Sequence, residues 1–302
     1  MPEPLLYCKA MGAAAIVSAL IVLAIASLRR VPATWLNGVC VAAVGAGLAS
    51  GFTVLSLRFV WPPLSGLDRL LTIILPATLA IEWVAGHRRL PRWGAWAMRL
   101  SIAAAAPRVL LHGSVYLSES SEWTGWQTHT ILLLLGVLLC VVWGLLSQLS
   151  TRAAGVSIPL ALAMTIQSAG VTVMVAGYIK GGAAAIPLAS SLVATSIAAA
   201  WIAKRRDAAL NSSSSVVIGI AVVGLFGILF IGRFFGRISS EAALTMMLAP
   251  LLCWVSETPL LRHRKPWIIG AFRLGTVAIP LLVLLAAAKR DFDRDIAPML
   301  GP

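Results

Sequence analysis

The sequence predicts an all-α, polytopic integral membrane bundle of about ten transmembrane helices, and three observations predict it. Hydrophobic residues make up 59% of the 302-residue chain and charged residues only 12%, with a mean hydropathy of +0.92. Soluble domains carry about 25% charged residues, so the polar surface is too small to cover a water-soluble globule of this size. The apolar residues also gather in runs long enough to cross about 30 Å of hydrocarbon, which takes roughly 20 helical residues. Finally, Lys and Arg collect at the ends of those runs, the placement produced when basic loops are held at an anionic membrane surface.

The first run, 10–28, has the wrong polarity for a cleaved signal peptide: only Lys9 precedes it, whereas Arg29 and Arg30 follow it. It reads as a retained helix. The second, 34–57, holds Gly47 and Gly51 in a GxxxG spacing suited to close helix packing. With Gly45, these glycines lack the spacing of a phosphate-binding loop. The third and fourth runs, 69–86 and 96–116, carry Glu82, Arg99 and, after Pro107, Arg108. The following stretch holds Glu119, Glu122, Trp123 and Trp126 but no Lys or Arg, and reads as an exterior loop with interfacial tryptophans. The fifth run, 129–148, is almost purely aliphatic, and the sixth, 157–179, bears Thr165, Gln167, Ser168 and Thr172. Hydroxyls at that spacing act as packing glue between helices. Four further runs, 185–203, 215–233, 242–257 and 267–288, complete the set.

Orientation follows from the connections. With ten helices, the odd-numbered connections hold 12 Lys and Arg, and the termini and even-numbered connections hold 9. The positive-inside rule then places the odd connections in the cytoplasm and both termini outside. The expected location is a bacterial cytoplasmic membrane. That charge placement accounts for the net +13 without nucleic acid as a partner. Cys8, Cys40, Cys140 and Cys253 are widely separated and form neither a CxxC motif nor a disulfide framework. The absence of HExxH, P-loop or paired-acid signatures leaves no expected metal or cofactor.

The chain also reads as duplicated. Arg29–Arg30 recur as Arg205–Arg206, Arg58–Phe59 as Arg233–Phe234, and Glu82 as Glu257. Leu71–Leu75 resemble Leu244–Leu248, Met98–Leu100 resemble Phe272–Leu274, and Val109–Leu111 resemble Val283–Leu285. Offsets run from 173 to 176, so a gap falls inside the third helix. The order of the rare charged residues still predicts two parallel copies, helices 1–4 and 7–10. The expected organisation is a first repeat over 1–117, an exterior loop and central helix pair over 118–182, and a second repeat over 183–302.

Ionisable residues inside spans are costly and are therefore the candidate site. Glu82 and Arg99 lie at similar depth on either side of one connection and are expected to pair; Glu257 and Arg273 form a second pair with poorer expected register. Ser101, Arg108, His112 and Tyr116 are spaced by 7, 4 and 4 and would share one helix face reaching mid-membrane. The function these features predict is a secondary transporter or permease for a small polar or anionic solute, with Arg108, His112 and Tyr116 as binding candidates. The alternative is a non-transporting subunit or scaffold that meets partner membrane proteins. An enzyme is not expected.

Overall fold

The computed structural model describes residues 4–27, 33–57, 59–86, 90–117, 125–152, 155–205, 211–258 and 264–295. Arg29, Arg30, Arg58, His87, Arg88, Arg89, Glu119, Glu122, Trp123, Arg206, Arg262 and His263 lie outside the described residues. The long helices are α1 (Pro4–Ser27), α2 (Ala33–Val54), α5 (Arg92–Leu111), α6 (Gly125–Arg152), α7 (Ser157–Val175), α9 (Ala185–Arg205), α10 (Asn211–Phe234) and α12 (Pro266–Asp295). A short α8 (Ile179–Ala183) precedes α9. Two passages are irregular. The third runs from α3 (Gly66–Arg69) through a π-helical Leu70–Ile74 into α4 (Leu75–Ala85). The ninth runs from α11 (Ser240–Leu248) into a 3-10 helix, Ala249–Glu257.

Among the described residues seven helices are long and apolar enough to cross a membrane, fewer than the ten the sequence predicts. The three passages that fall short do so for identifiable reasons. The third and ninth change hydrogen-bond register near Pro76 and Pro250, proline being unable to donate to the preceding turn. The fourth, α5, carries Arg92, Arg99 and Arg108 within its 20 residues.

Side-chain contacts sort the connections onto two ends. Trp83 at the end of α4 packs on Gly38 at the start of α2. Arg273 near the start of α12 reaches Ser157 at the start of α7, and Arg152 at the end of α6 lies over Trp254. Val22, Val39 and Ile202 join the ends of α1 and α9 to the start of α2. Trp96 near the start of α5 also reaches Gly144 toward the end of α6, so the helix ends that flank the five odd connections lie together at one end. At the opposite end Gly66 meets Phe235, Tyr116 packs edge-on to Phe234 at 5.4 Å, and Gly113 approaches Arg69.

The centre of the bundle is α10: 89% of Val217–Phe234 is buried, against 17% of an 18-residue apolar stretch within Pro266–Arg294 of α12. That contrast identifies the outer medium. α12 and α1 present Ile16, Leu20, Ile279, Leu282 and Val283 outward, an exposed apolar surface that lipid covers and water does not. Exposed tryptophans mark both rims, with Trp35, Trp93, Trp201 and Trp267 at the odd end and Trp61 and Trp126 at the even end.

Small residues set the closest approaches. In lipid, helices associate by van der Waals fit rather than by expelling water. A Cβ on Gly47 would meet Ser18 Oγ and come within 2.8 Å of the Ala14 carbonyl oxygen; one on Gly51 would lie 2.5 Å from Pro187. The GxxxG pair thus seats α2 against both α1 and α9. Gly47→Val is expected to cost about 1–3 kcal/mol through overpacking, read as a lower unfolding temperature in detergent with no new oligomer on size exclusion.

Candidate functional site

Among the described residues two ion-pair clusters occupy the odd end. In the first, Arg99 donates from Nε to Glu82 Oε1 and from Nη2 to Glu82 Oε2, both at 2.8 Å. This fork-on-fork geometry is the strongest arrangement open to a guanidinium and a carboxylate. Glu82 is fully buried and the Arg99 side chain is 11% exposed. The Arg99 guanidinium also lies 5.3 Å from the Trp96 ring centroid and 5.7 Å from that of Trp143, so π faces replace its hydration. Glycine at position 219 of α10 makes room: a Cβ there would clash with Glu82 Oε1 and lie 2.8 Å from Trp143. The pair thereby ties the α4–α5 hairpin to α6 and α10.

The second cluster is built around Arg273 of α12. Its Nη2 donates to Glu257 Oε1 at 2.9 Å, its Nε to Ser256 Oγ at 2.6 Å and its Nη1 to Ser157 Oγ at 3.0 Å. Ser256 Oγ in turn donates to the Cys253 carbonyl at 2.8 Å. Arg273 is buried, while Glu257 keeps 23% of its side chain exposed. The pairing forms despite the register mismatch because Ser256 stands where Glu82 stands in the first hairpin, 17 residues before its arginine, and Glu257 reaches round from the next position.

The remaining candidates are not brought together. Helix α5 begins and ends earlier than the apolar run suggests, so Arg108 sits in its last turn rather than at mid-membrane. There its charge opposes the negative helix terminus favourably. Ser101 and Arg108 are exposed on the outer face; Ser101 donates to the Met98 carbonyl of its own helix. His112 lies beyond the helix with non-helical dihedrals, and Tyr116 belongs to a separate 3-10 turn, Val115–Leu117, so the expected stripe is broken. Gln167 is half-buried in the middle of α7. The α7 hydroxyls are inward-facing, but Thr165 and Thr172 donate to the Ala161 and Ser168 carbonyls of α7 rather than across helices. A one-turn back-bond is always within reach of a threonine, whatever its neighbours.

Sequence reasoning missed Ser157, Ser256, Trp143 and Gly219. Ser256 had a local signal, since it stands 174 positions after Glu82. Ser157 had none, being 116 residues from Arg273.

Cavities border the bundle, and three are lined by described residues. One of about 420 Å³ opens at the even end between α7, α11 and α12, lined by Thr172, Arg237, Glu241, Thr245 and Asp291 among others. The other two flank α6 and are strongly apolar. Among the described residues no group of three or more His, Cys, Asp or Glu is placed to hold a metal ion. The fold and its buried charges define the protein as a multi-pass membrane protein of the helical-bundle class. No family profile matches the chain, and no curated protein is detectably similar to it.

Burying the first pair makes each partner depend on the other. Arg99→Met leaves Glu82 uncompensated and is expected to cost about 3–5 kcal/mol. The double substitution Glu82→Leu with Arg99→Met should cost less than the single one, measured as thermal unfolding of the purified protein in detergent.

Proposed function

We propose that the chain crosses the bilayer ten times and works as a secondary transporter or permease for a small polar or anionic solute, with both termini outside a bacterial cytoplasmic membrane. The observation that carries this reading is one sector of the bundle, formed by α7, the ninth passage and α12. Its odd end is closed by the Arg273–Glu257–Ser157 cluster. Its even end holds the charged cavity of Thr172, Arg237, Glu241 and Asp291. A sector plugged by an ion pair at one end and hollow at the other is what one state of an alternating-access carrier requires. Between the two ends the ninth passage changes from α to 3-10 geometry at Ala249–Pro250, and interrupted helices of that kind frame substrate sites in carriers.

Internal duplication supports the same reading. Caps, prolines and ion-pair positions match at a constant offset of 174, without the gap that the other sequence matches require. Ser65 and Ser239 both cap their passages, each accepting from the backbone three residues on. Pro76 and Pro250 follow at the same spacing, then Glu82 and Ser256, then Arg99 and Arg273. Residues 1–117 and 183–302 are then two parallel copies joined by the α6–α7 pair, and the Glu82 and Glu257 clusters are equivalent ends of the two.

In this scheme Glu257–Arg273 is the gate and Glu82–Arg99 its fixed counterpart. Gln167 and the α7 hydroxyls lie along the sector. The second reading, a non-transporting subunit, is favoured by the outward exposure of Arg108, with Ser101 on the same face of α5 and His112 and Tyr116 just beyond it. A partner chain reaches those positions more easily than a solute does.

To test the proposal, the protein is extracted with its native lipid and its small-molecule contents identified, then offered back to proteoliposomes. Wild type should accumulate the solute. Glu257→Gln removes a charge-assisted hydrogen bond worth about 1.5–3 kcal/mol and should change uptake roughly tenfold or more at unchanged folded yield. A polypeptide present in fixed ratio, with no solute bound or taken up, decides for the subunit.

A further inference from the structure

The two apolar cavities share a design. The first lies between α5 and α6, measures about 520 Å³, and is lined by Leu100, Ala104, Leu133 and Val137 with Arg108 and His129. The second lies between α6, α10 and α11, measures about 320 Å³, and is lined by Leu135, Phe226, Phe230 and Ala243 with Arg233. Both open laterally on the face of the bundle that lipid covers. In each, the polar groups stand at the even end: Arg108 in the last turn of α5, His129 near the start of α6, and Arg233 in the last turn of α10. The arginine at each mouth is exposed, and neither forms an ion pair among the described residues.

We infer that these grooves bind anionic phospholipid of the even-side leaflet, one acyl chain in each groove with the phosphate at its arginine. Length fits. From Arg108 to Leu100, and from Arg233 to Phe226, each helix rises about 10–12 Å, and one leaflet of hydrocarbon is about 15 Å deep. Charge sets the headgroup: an exposed guanidinium at the depth of the phosphates binds an anionic lipid with two donors, while a choline headgroup offers its own competing cation. The inference is separate from the transport reading, since neither groove shares a lining residue with the charged cavity between α7, α11 and α12.

The test uses the full chain equilibrated in vesicles of equal phosphatidylglycerol and phosphatidylcholine, then released from detergent in a mass spectrometer that counts retained lipids. Wild type should keep phosphatidylglycerol in preference by about fivefold per groove, the advantage conferred by a basic residue near the lipid surface. Arg108→Gln and Arg233→Gln should each abolish that preference at one groove. Ala104→Phe and Ala243→Phe fill the grooves while sparing the cations, and should each displace one lipid. Equal retention of both lipids by wild type would overturn the inference. So would undiminished phosphatidylglycerol preference when Ala104→Phe and Ala243→Phe are combined, which would reduce the effect to surface charge, or a protein chain co-purifying on this face and lost with Arg108→Gln.

Discussion

A charge that cannot reach water must be answered by another charge inside the bundle, and this constraint organises the odd end of the molecule. Glu82 is the clearest case. Its two oxygens are both occupied by Arg99, whose remaining surface is covered by the Trp96 and Trp143 rings. That requirement selects glycine at position 219 and brings α4, α5, α6 and α10 to one place. Because such a pair repays its desolvation only when the geometry is good, it constrains the hairpin's register more tightly than aliphatic packing does. Leucines and valines would tolerate many small slips; a forked pair tolerates almost none.

Much of this was legible in the chain. Apolar runs locate the passages, and simple antiparallel reflection about a short connection places Arg99 opposite Glu82. The same reflection fails for Arg273 because it treats the ninth passage as a regular α-helix. Ala249–Glu257 is 3-10, with a different rise and a different angular step per residue, and nothing in its aliphatic composition announces the change except Pro250. Arg108 was misplaced for a related reason: hydropathy marks where apolar residues stop, whereas the helix ends where its backbone turns, at Leu111. Moving the terminus inward by five residues converts a mid-membrane charge into a last-turn one. Contacts such as Arg273 with Ser157 depend on the whole topology and leave no local trace.

The two ion-pair clusters are unequal in a way that bears on motion. Arg99 has one hydrogen-bonding partner for its forked contact, and that partner is wholly buried, so separating them strands two charges at once. Arg273 has three acceptors, two of them serine hydroxyls, and its carboxylate partner already has access to solvent. If Glu257 withdraws, Ser157 and Ser256 keep two of the guanidinium's hydrogen bonds while the carboxylate hydrates, so one charge rather than two is left unanswered. The energetic penalty for opening is therefore far smaller at the second hairpin than at the first. Two helical hairpins can in this way take different mechanical roles, a rigid anchor against α10 and a releasable contact against α7, according to whether glutamate or serine stands 17 residues before the arginine. The cavity beneath Arg237 and Asp291 belongs to the releasable side, which is where a solute path would have to form if the bundle is to open without breaking its core.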